Sequence, residues 1–279
     1  AGGAAGIAAA FNTPLGGILF AIEELTRKPG QRSNGLVMAA IVLGGLMADS
    51  VFGNSTYFGV IPSEKIGFSL LLPGLLVAVA CGLAGGLFAR LLIVSLSGVS
   101  NDWFSRMRKR SPVYFAAACG LLVAVIGLST SGGTFGSGYS YTRAMLEGSD
   151  NGSPLYVLLK FVATWLSTWS GVPGGIFAPA LAIGGAVGND IAQWTGHPQS
   201  ATLIALGMAG FLAAVTQAPI TAFVIVMEMV DGHGLVLSLM ACALLASAVS
   251  RLISTPLYAS LAELQLKRIP PDAAEKRSP

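Results

Sequence analysis

Charge is what this sequence has least of. Asp, Glu, Lys and Arg supply 10% of its 279 residues, well below the roughly 25% of an average soluble domain. Hydrophobic residues make up 53%, and the mean hydropathy is +0.72. That balance excludes an ordinary soluble domain and reads as a polytopic membrane protein. Cysteine is scarce too. Cys81, Cys119 and Cys242 sit inside apolar runs without metal-ligand spacing, so each reads as a buried small hydrophobe. His197 and His233 are isolated in polar connections with no neighbouring ligand set. Neither a metal site nor a cofactor is expected, and the chain is not expected to be an enzyme. The net charge of +3 is small, with the basic residues gathered in loops, so nucleic acid is not expected as a partner. Gly132–Gly138 has the glycines of a phosphate loop but lacks the following Lys-Ser/Thr, and reads as a flexible connection. An initiator methionine, a charged flank and a cleavage site are also absent before the apolar Ala1–Ala10.

What remains is a series of apolar segments. A small-residue helix and a second helix flank a polar break at Asn12-Thr13-Pro14, the second ending in Glu23-Glu24. Helices are expected over Gly35–Ala48, over Ile66 to about Leu96, and over Val113–Leu128 and Pro154–Ser170. Four more should follow at Ile176–Trp194, Ser200–Val215, Ile220–Val230 and Leu235–Ile253, before an amphipathic stretch to Lys267. The segment from Ile66 exceeds the roughly 20 residues needed to span, so it should tilt. Segments 26–34, 49–65, 101–111 and 129–153 read as loops. Basic residues concentrate in 26–34, 101–111 and the tail from Lys267, which places these and the C-terminus in the cytoplasm, with 49–65 and 129–153 outside. Abundant glycine and alanine indicate close helix packing. Lys160 lies within a span with no partner assignable, and Trp165 and Trp169 share one helix face.

Aligning the proline breaks exposes an internal repeat. Phe11–Leu25 (FNTPLGGILFAIEEL) matches Thr216–Val230 (TQAPITAFVIVMEMV), at an offset of 205 residues from Pro14 to Pro219. The same offset lays Asn12 on Gln217, read as caps of broken helices, and Glu23 on Glu228. Carboxylates near the C-terminal end of a helix are opposed by its dipole, so the pair Glu23-Glu24 calls for a reason. The residue kept in both copies, Glu23 with Glu228, reads as structural. Glu24, which aligns with Met229, is the functional candidate. Intramembrane carboxylates are candidate proton relays; a carboxylate solvated from the adjoining loop is the alternative.

The second copy carries a further break, Ser170-Gly171-Val172-Pro173-Gly174-Gly175-Ile176-Phe177-Ala178-Pro179. A glycine- and proline-rich interruption within an apolar run is tolerated in a membrane only where it is buried or lines a cavity. The helix it opens presents unsatisfied amides backed by the positive end of its dipole, a natural anion site. Gly174, Gly175 and Pro179 shape that turn. Its counterpart in the first copy would fall about thirty positions before residue 1, so the sequence reads as the later part of a longer protein. Tyr258, after Thr255-Pro256-Leu257, could donate to an anion or serve as an interfacial anchor.

Three of these segments resemble the CLC family of chloride channels and chloride/proton antiporters. They are the GGxFxP segment Gly174–Pro179, the stretch from Ala8-Ala9 through Phe11-Asn12 to Glu24, and Pro256-Leu257-Tyr258. The resemblance implies a partial CLC-type inverted-repeat fold of broken, tilted helices, all-α and polytopic. Its divisions would be 1–25 (tail of the first half), 26–111 (remaining first-half and linking helices), 112–268 (second half) and 269–279 (cytoplasmic tail). It further implies chloride held by the Ile176 and Phe177 amides and by Tyr258, and proton transfer through Glu24. The transported ligands would be chloride and protons, the partner surfaces membrane lipid and a second copy in a homodimer, and the location a bacterial inner membrane. A passive, voltage-gated chloride channel is the alternative to exchange. The apolar faces Gly16–Ile22 and Ile220–Val226 suit either a dimer surface or packing within one subunit.

Overall fold

A computed structural model describes residues 2–26, 34–53, 56–61, 67–98, 103–149 and 152–266. Among these, every regular element is helical. The chain enters through α1 (Gly2–Phe11) and α2 (Pro14–Phe20), which widens into a π-helical turn at Ala21–Thr26. Then come α3 (Asn34–Phe52), α4 (Leu71–Ser97), α5 (Trp103–Arg110), α6 (Pro112–Ser129), α7 (Tyr139–Leu146) and α8 (Pro154–Trp169). The remainder is α9 (Phe177–Thr195), α10 (Ser200–Thr216), α11 (Pro219–Met229), α12 (Val236–Arg251) and α13 (Leu257–Leu266). Among the described residues, three helical stretches are long and apolar enough to cross a membrane: Phe68–Ser97, Pro112–Ser129 and His233–Arg251. The 27 residues of α4 extend about 40 Å at the helical rise, longer than the hydrocarbon layer, which tilting accommodates.

The core is built on α9 and α10, which are largely apolar and buried around their whole circumference, as expected of helices that neighbours surround. Every residue from Ala180 to Ala192 and from Thr202 to Thr216 is buried. A Cβ built at Gly184 would strike the Gly207 carbonyl, and one at Gly207 the Gly184 carbonyl, so the two backbones cross in direct contact. With no hydrophobic drive between helices in lipid, such small-residue contacts supply the packing. Helices α4 and α12 close around α10. At the periphery, α3 and α6 turn Leu36, Met47, Val113 and Leu128 outward, the exposure expected of lipid-facing helices.

Three segments read as loops contain helix. Asp49–Phe52 continues α3, α5 occupies most of 101–111, and α7 lies within 129–153. Polar composition hid them. Helix α5 is held from its own side chains, since Arg108 donates to the Ser95 carbonyl at 3.0 Å and Lys109 to that of Gly98 at 2.9 Å, closing the orphan acceptors at the end of α4. The Gly132–Gly138 segment is likewise fixed rather than flexible. Lys160, fully buried, donates to the Thr134 and Gly136 carbonyls at 2.9 and 2.8 Å. The expected basic loop at 26–34 (beyond its two ends) and the tail from Lys267 lie outside the described residues.

The repeat is written in the backbone. Asn12 and Gln217 both adopt the left-handed conformation, with φ of 52° and 58°. Thr13 and Ala218 follow with φ,ψ of −130°,73° and −115°,76°, and a proline opens each second helix. Asn12 and Gln217 thus end the first helix of each pair, Gln217 as the C-cap of α10, as the reading of both as caps of broken helices expects; the Gln217 amide goes to the Ser254 carbonyl at 2.8 Å.

Candidate functional site

The turn after α8 reaches Gly171 with φ of +86°, a conformation glycine adopts without strain. The chain then runs without regular structure through Pro173, Gly174 and Gly175 into α9. The first backbone bond of that helix is from the Ala180 N–H to the Ile176 carbonyl, 3.0 Å. No bond to the Ile176 or Phe177 amide is found among the described residues, which is the situation of any helix N-terminus before a ligand supplies an acceptor. Both residues are nonetheless buried, next to the exposed stretch 172–175. Gly174, Gly175 and Pro179 also form one wall of a cavity of about 330 Å³, whose opposite wall includes Lys160, Thr164 and Ser167. Thr164 and Ser167 donate back to the carbonyls of Lys160 and Ala163, both at 2.8 Å, so their hydroxyl protons are engaged along α8.

Tyr258, in the first turn of α13, is joined to this turn by aromatic contacts. Its ring meets Phe20 edge-on with centroids 6.2 Å apart, and Phe20 meets Phe177 edge-on at 6.1 Å. Phe11 packs on the other side of Phe177 at 5.6 Å and leads to Tyr57 at 5.5 Å. The structure therefore brings Ile176, Phe177 and Tyr258 to one locality, with Phe20 and Phe11 between and beside them. Those two phenylalanines escaped the sequence reading because an apolar residue in an apolar helix carries no distinguishing signal. Beyond Phe11, Tyr139 donates to the Tyr57 carbonyl at 3.0 Å and accepts from Arg143 at 2.8 Å. Burial, followed by the nearby Tyr139, pushes the Tyr57 phenol above its usual range.

The three carboxylates are placed by the crossing of α2 and α11. Glu228 accepts from the Leu15 and Gly16 amides at 3.1 and 2.7 Å. Glu23 accepts from the Ile220 and Thr221 amides at 3.2 and 2.6 Å. Each carboxylate lies late in its own segment and caps the first turn of the other, so the two run antiparallel, as an inverted repeat demands. A Cβ at Gly16 would collide with Ile225, which shows how closely they approach and that these apolar faces pack within one chain. The unfavourable dipole of the parent helix is thereby offset by the favourable N-terminus of its neighbour. Glu24 does not share this arrangement. It is buried, and it interacts electrostatically with Tyr258.

Buried helices broken at matched positions and related by an inverted repeat are an architecture that recurs among membrane transporters. The sequence model of the voltage gated chloride channel family matches residues 1–251, and the chain belongs to that CLC family. It is 30% identical over 293 aligned positions to the H(+)/Cl(-) exchange transporter ClcA of Salmonella paratyphi A, covering 99% of this chain and 60% of that protein. The ClcA of Cronobacter sakazakii is 33% identical, over 93% of this chain and 57% of its own length. The chain thus spans about three-fifths of the curated relatives it matches. Among solved structures, a slow cyanobacterial Cl-/H+ antiporter superposes with a TM-score of 0.77 at 26% identity, over 95% of this chain and 64% of that one. A CLC-type fluoride/proton antiporter matches the fold with a TM-score of 0.75 at 22% identity, over 90% and 62%. The expected all-α, CLC-type membrane fold is the one found.

Proposed function

We propose that the protein carries chloride across a bacterial inner membrane in exchange for protons. The observation that carries this reading is the meeting of the buried α9 N-terminus with Tyr258 through Phe20, with the buried Glu24 in electrostatic reach of that tyrosine. Chloride would be received by the Ile176 and Phe177 amides within the turn that Gly174, Gly175 and Pro179 shape. Neutral dipoles hold an anion firmly enough to strip water and weakly enough to release it, where a fixed cation would trap it. Tyr258 would donate from the inner end. Glu24 would pass protons from the cytoplasmic side, with Glu23 and Glu228 holding the two repeats together. The relatives' names, H(+)/Cl(-) exchange transporter, favour exchange over the passive channel. The C-terminus is assigned to the cytoplasm from the basic segments, and the working unit to a homodimer in lipid.

The test is flux through the full-length protein in liposomes. An imposed chloride gradient is expected to drive protons uphill in the opposite direction. Chloride movement with no coupled proton movement would replace exchange with passive conduction.

A further inference from the structure

The two copies of the repeat place a carboxylate alike at one position and differ at the next. Glu23 and Glu228 stand at equivalent sites and make equivalent pairs of bonds, to Ile220 and Thr221 in one case and Leu15 and Gly16 in the other. The following residue is Met229 in the second copy and Glu24 in the first, and both are buried. The backbone differs at the same place. Helix α11 stays α-helical through Met229, whereas the first copy opens into a π-helical turn over Ala21–Thr26. Such wide turns inside α-helices are uncommon and tend to mark functional positions.

A π-turn is held less firmly by its own ladder than an α-turn, and relaxation back to α would rotate every later side chain about the axis. Glu23 opposes that rotation because two amides of α11 grip both of its carboxylate oxygens. Adjacent residues share one stretch of backbone, so fixing Glu23 fixes the direction in which Glu24 leaves the helix. We propose that Glu23 is the positioning residue for Glu24, and that the apparently symmetric pair of caps is functionally unequal. Glu228 performs the same capping where no carboxylate follows, and so serves only the packing of the two halves. The proposal rests on the reading of Glu24 as the proton-transfer residue.

That inequality supplies its own control. In the full-length protein in liposomes, chloride flux and coupled proton flux are measured for Glu23→Gln, Glu228→Gln and Glu24→Gln. A glutamine presents one acceptor oxygen, and its NH2 group faces an amide N–H, so both cap variants lose comparable thermal stability. Glu23→Gln is expected to keep chloride flux while proton transport drops by about tenfold or more, the scale of a misplaced acid–base group. Glu228→Gln is expected to keep wild-type coupling. Should the glutamine variant fold poorly, Glu23→Asp tests the same point, because its carboxylate ends about 1.5 Å short of the two amides. Wild-type coupling in either Glu23 variant, or equal loss in Glu23→Gln and Glu228→Gln, overturns the positioning role while leaving Glu24→Gln free to lose coupling. Unchanged coupling in Glu24→Gln itself refutes the underlying reading of Glu24, and the proposal with it.

Discussion

At Gly184 and Gly207 two helix backbones touch, and the consequence of adding one methyl group there can be stated in advance. The Cβ of an alanine at either position lands on a carbonyl of the facing helix, and backbone cannot step aside as a flexible side chain can. Overpacking of this kind costs about 1–3 kcal/mol. Gly184→Ala and Gly207→Ala should therefore each lower the unfolding temperature of the detergent-solubilised protein. Gly120→Ala is the matched comparison: nothing lies within 4 Å of its added carbon, and alanine is favoured over glycine in a helix by about 1 kcal/mol. It should leave the midpoint unchanged or raise it. An undisturbed midpoint in Gly184→Ala would show that the crossing is looser than the contact indicates. The same scale explains what the sequence could and could not show of the carboxylates. That Glu23 pairs with Glu228, and that Glu24 stands alone, is visible in the alignment of the two copies. That each caps a helix some 200 residues away is not, because the acceptor and its donors share no local pattern; they meet only once α2 and α11 cross.

Between neighbouring elements, α8 does more than lead into the turn before α9. Lys160 ties it to the 134–138 turn, and Trp165 ties it to α4 through a 3.0 Å bond to the Ser95 hydroxyl. Trp165 and Trp169 also stack, with centroids 5.0 Å apart, and Trp169 meets Phe115 of α6 edge-on at 5.0 Å. Replacing Lys160 by Met would preserve much of the packing volume and leave the buried Thr134 carbonyl and the more exposed Gly136 carbonyl without their charged donor. Hydrogen bonds to charged groups contribute about 1.5–3 kcal/mol, so the turn should open locally instead of the whole fold being lost. Hydrogen exchange is the direct measure: amides in 132–138 are expected to exchange faster in Lys160→Met, with those of α9 and α10 unchanged. Unaltered protection in the turn would show that the Thr130 and Thr134 hydroxyls, bonded at 3.0 Å, hold it alone. These ties also explain why long elements were legible and short ones were not. The apolar runs of α4, α6 and α10 declare themselves by composition. By contrast, α5 and α7 are short and polar, and they are held as helices by contacts with elements the local sequence does not mention.

For the molecule as a whole, the distribution of charge assigns sides. Helix α5 carries Arg106, Arg108, Lys109 and Arg110 in eight residues, whereas α7, beyond the span of α6, carries Arg143 alone among basic residues. From the excess on α5 we propose that this helix lies on the cytoplasmic side and α7 on the outside. The three cysteines of this sequence are all buried, so they add little background to thiol chemistry. Arg106 and Ser140 are both exposed, one on each side of α6. With a membrane-impermeant maleimide applied to intact cells, Ser140→Cys is expected to label at once, and Arg106→Cys only after the membrane is opened. The reverse pattern would invert the molecule. It would also place the route to Glu24 on the outer face and require protons to enter from there.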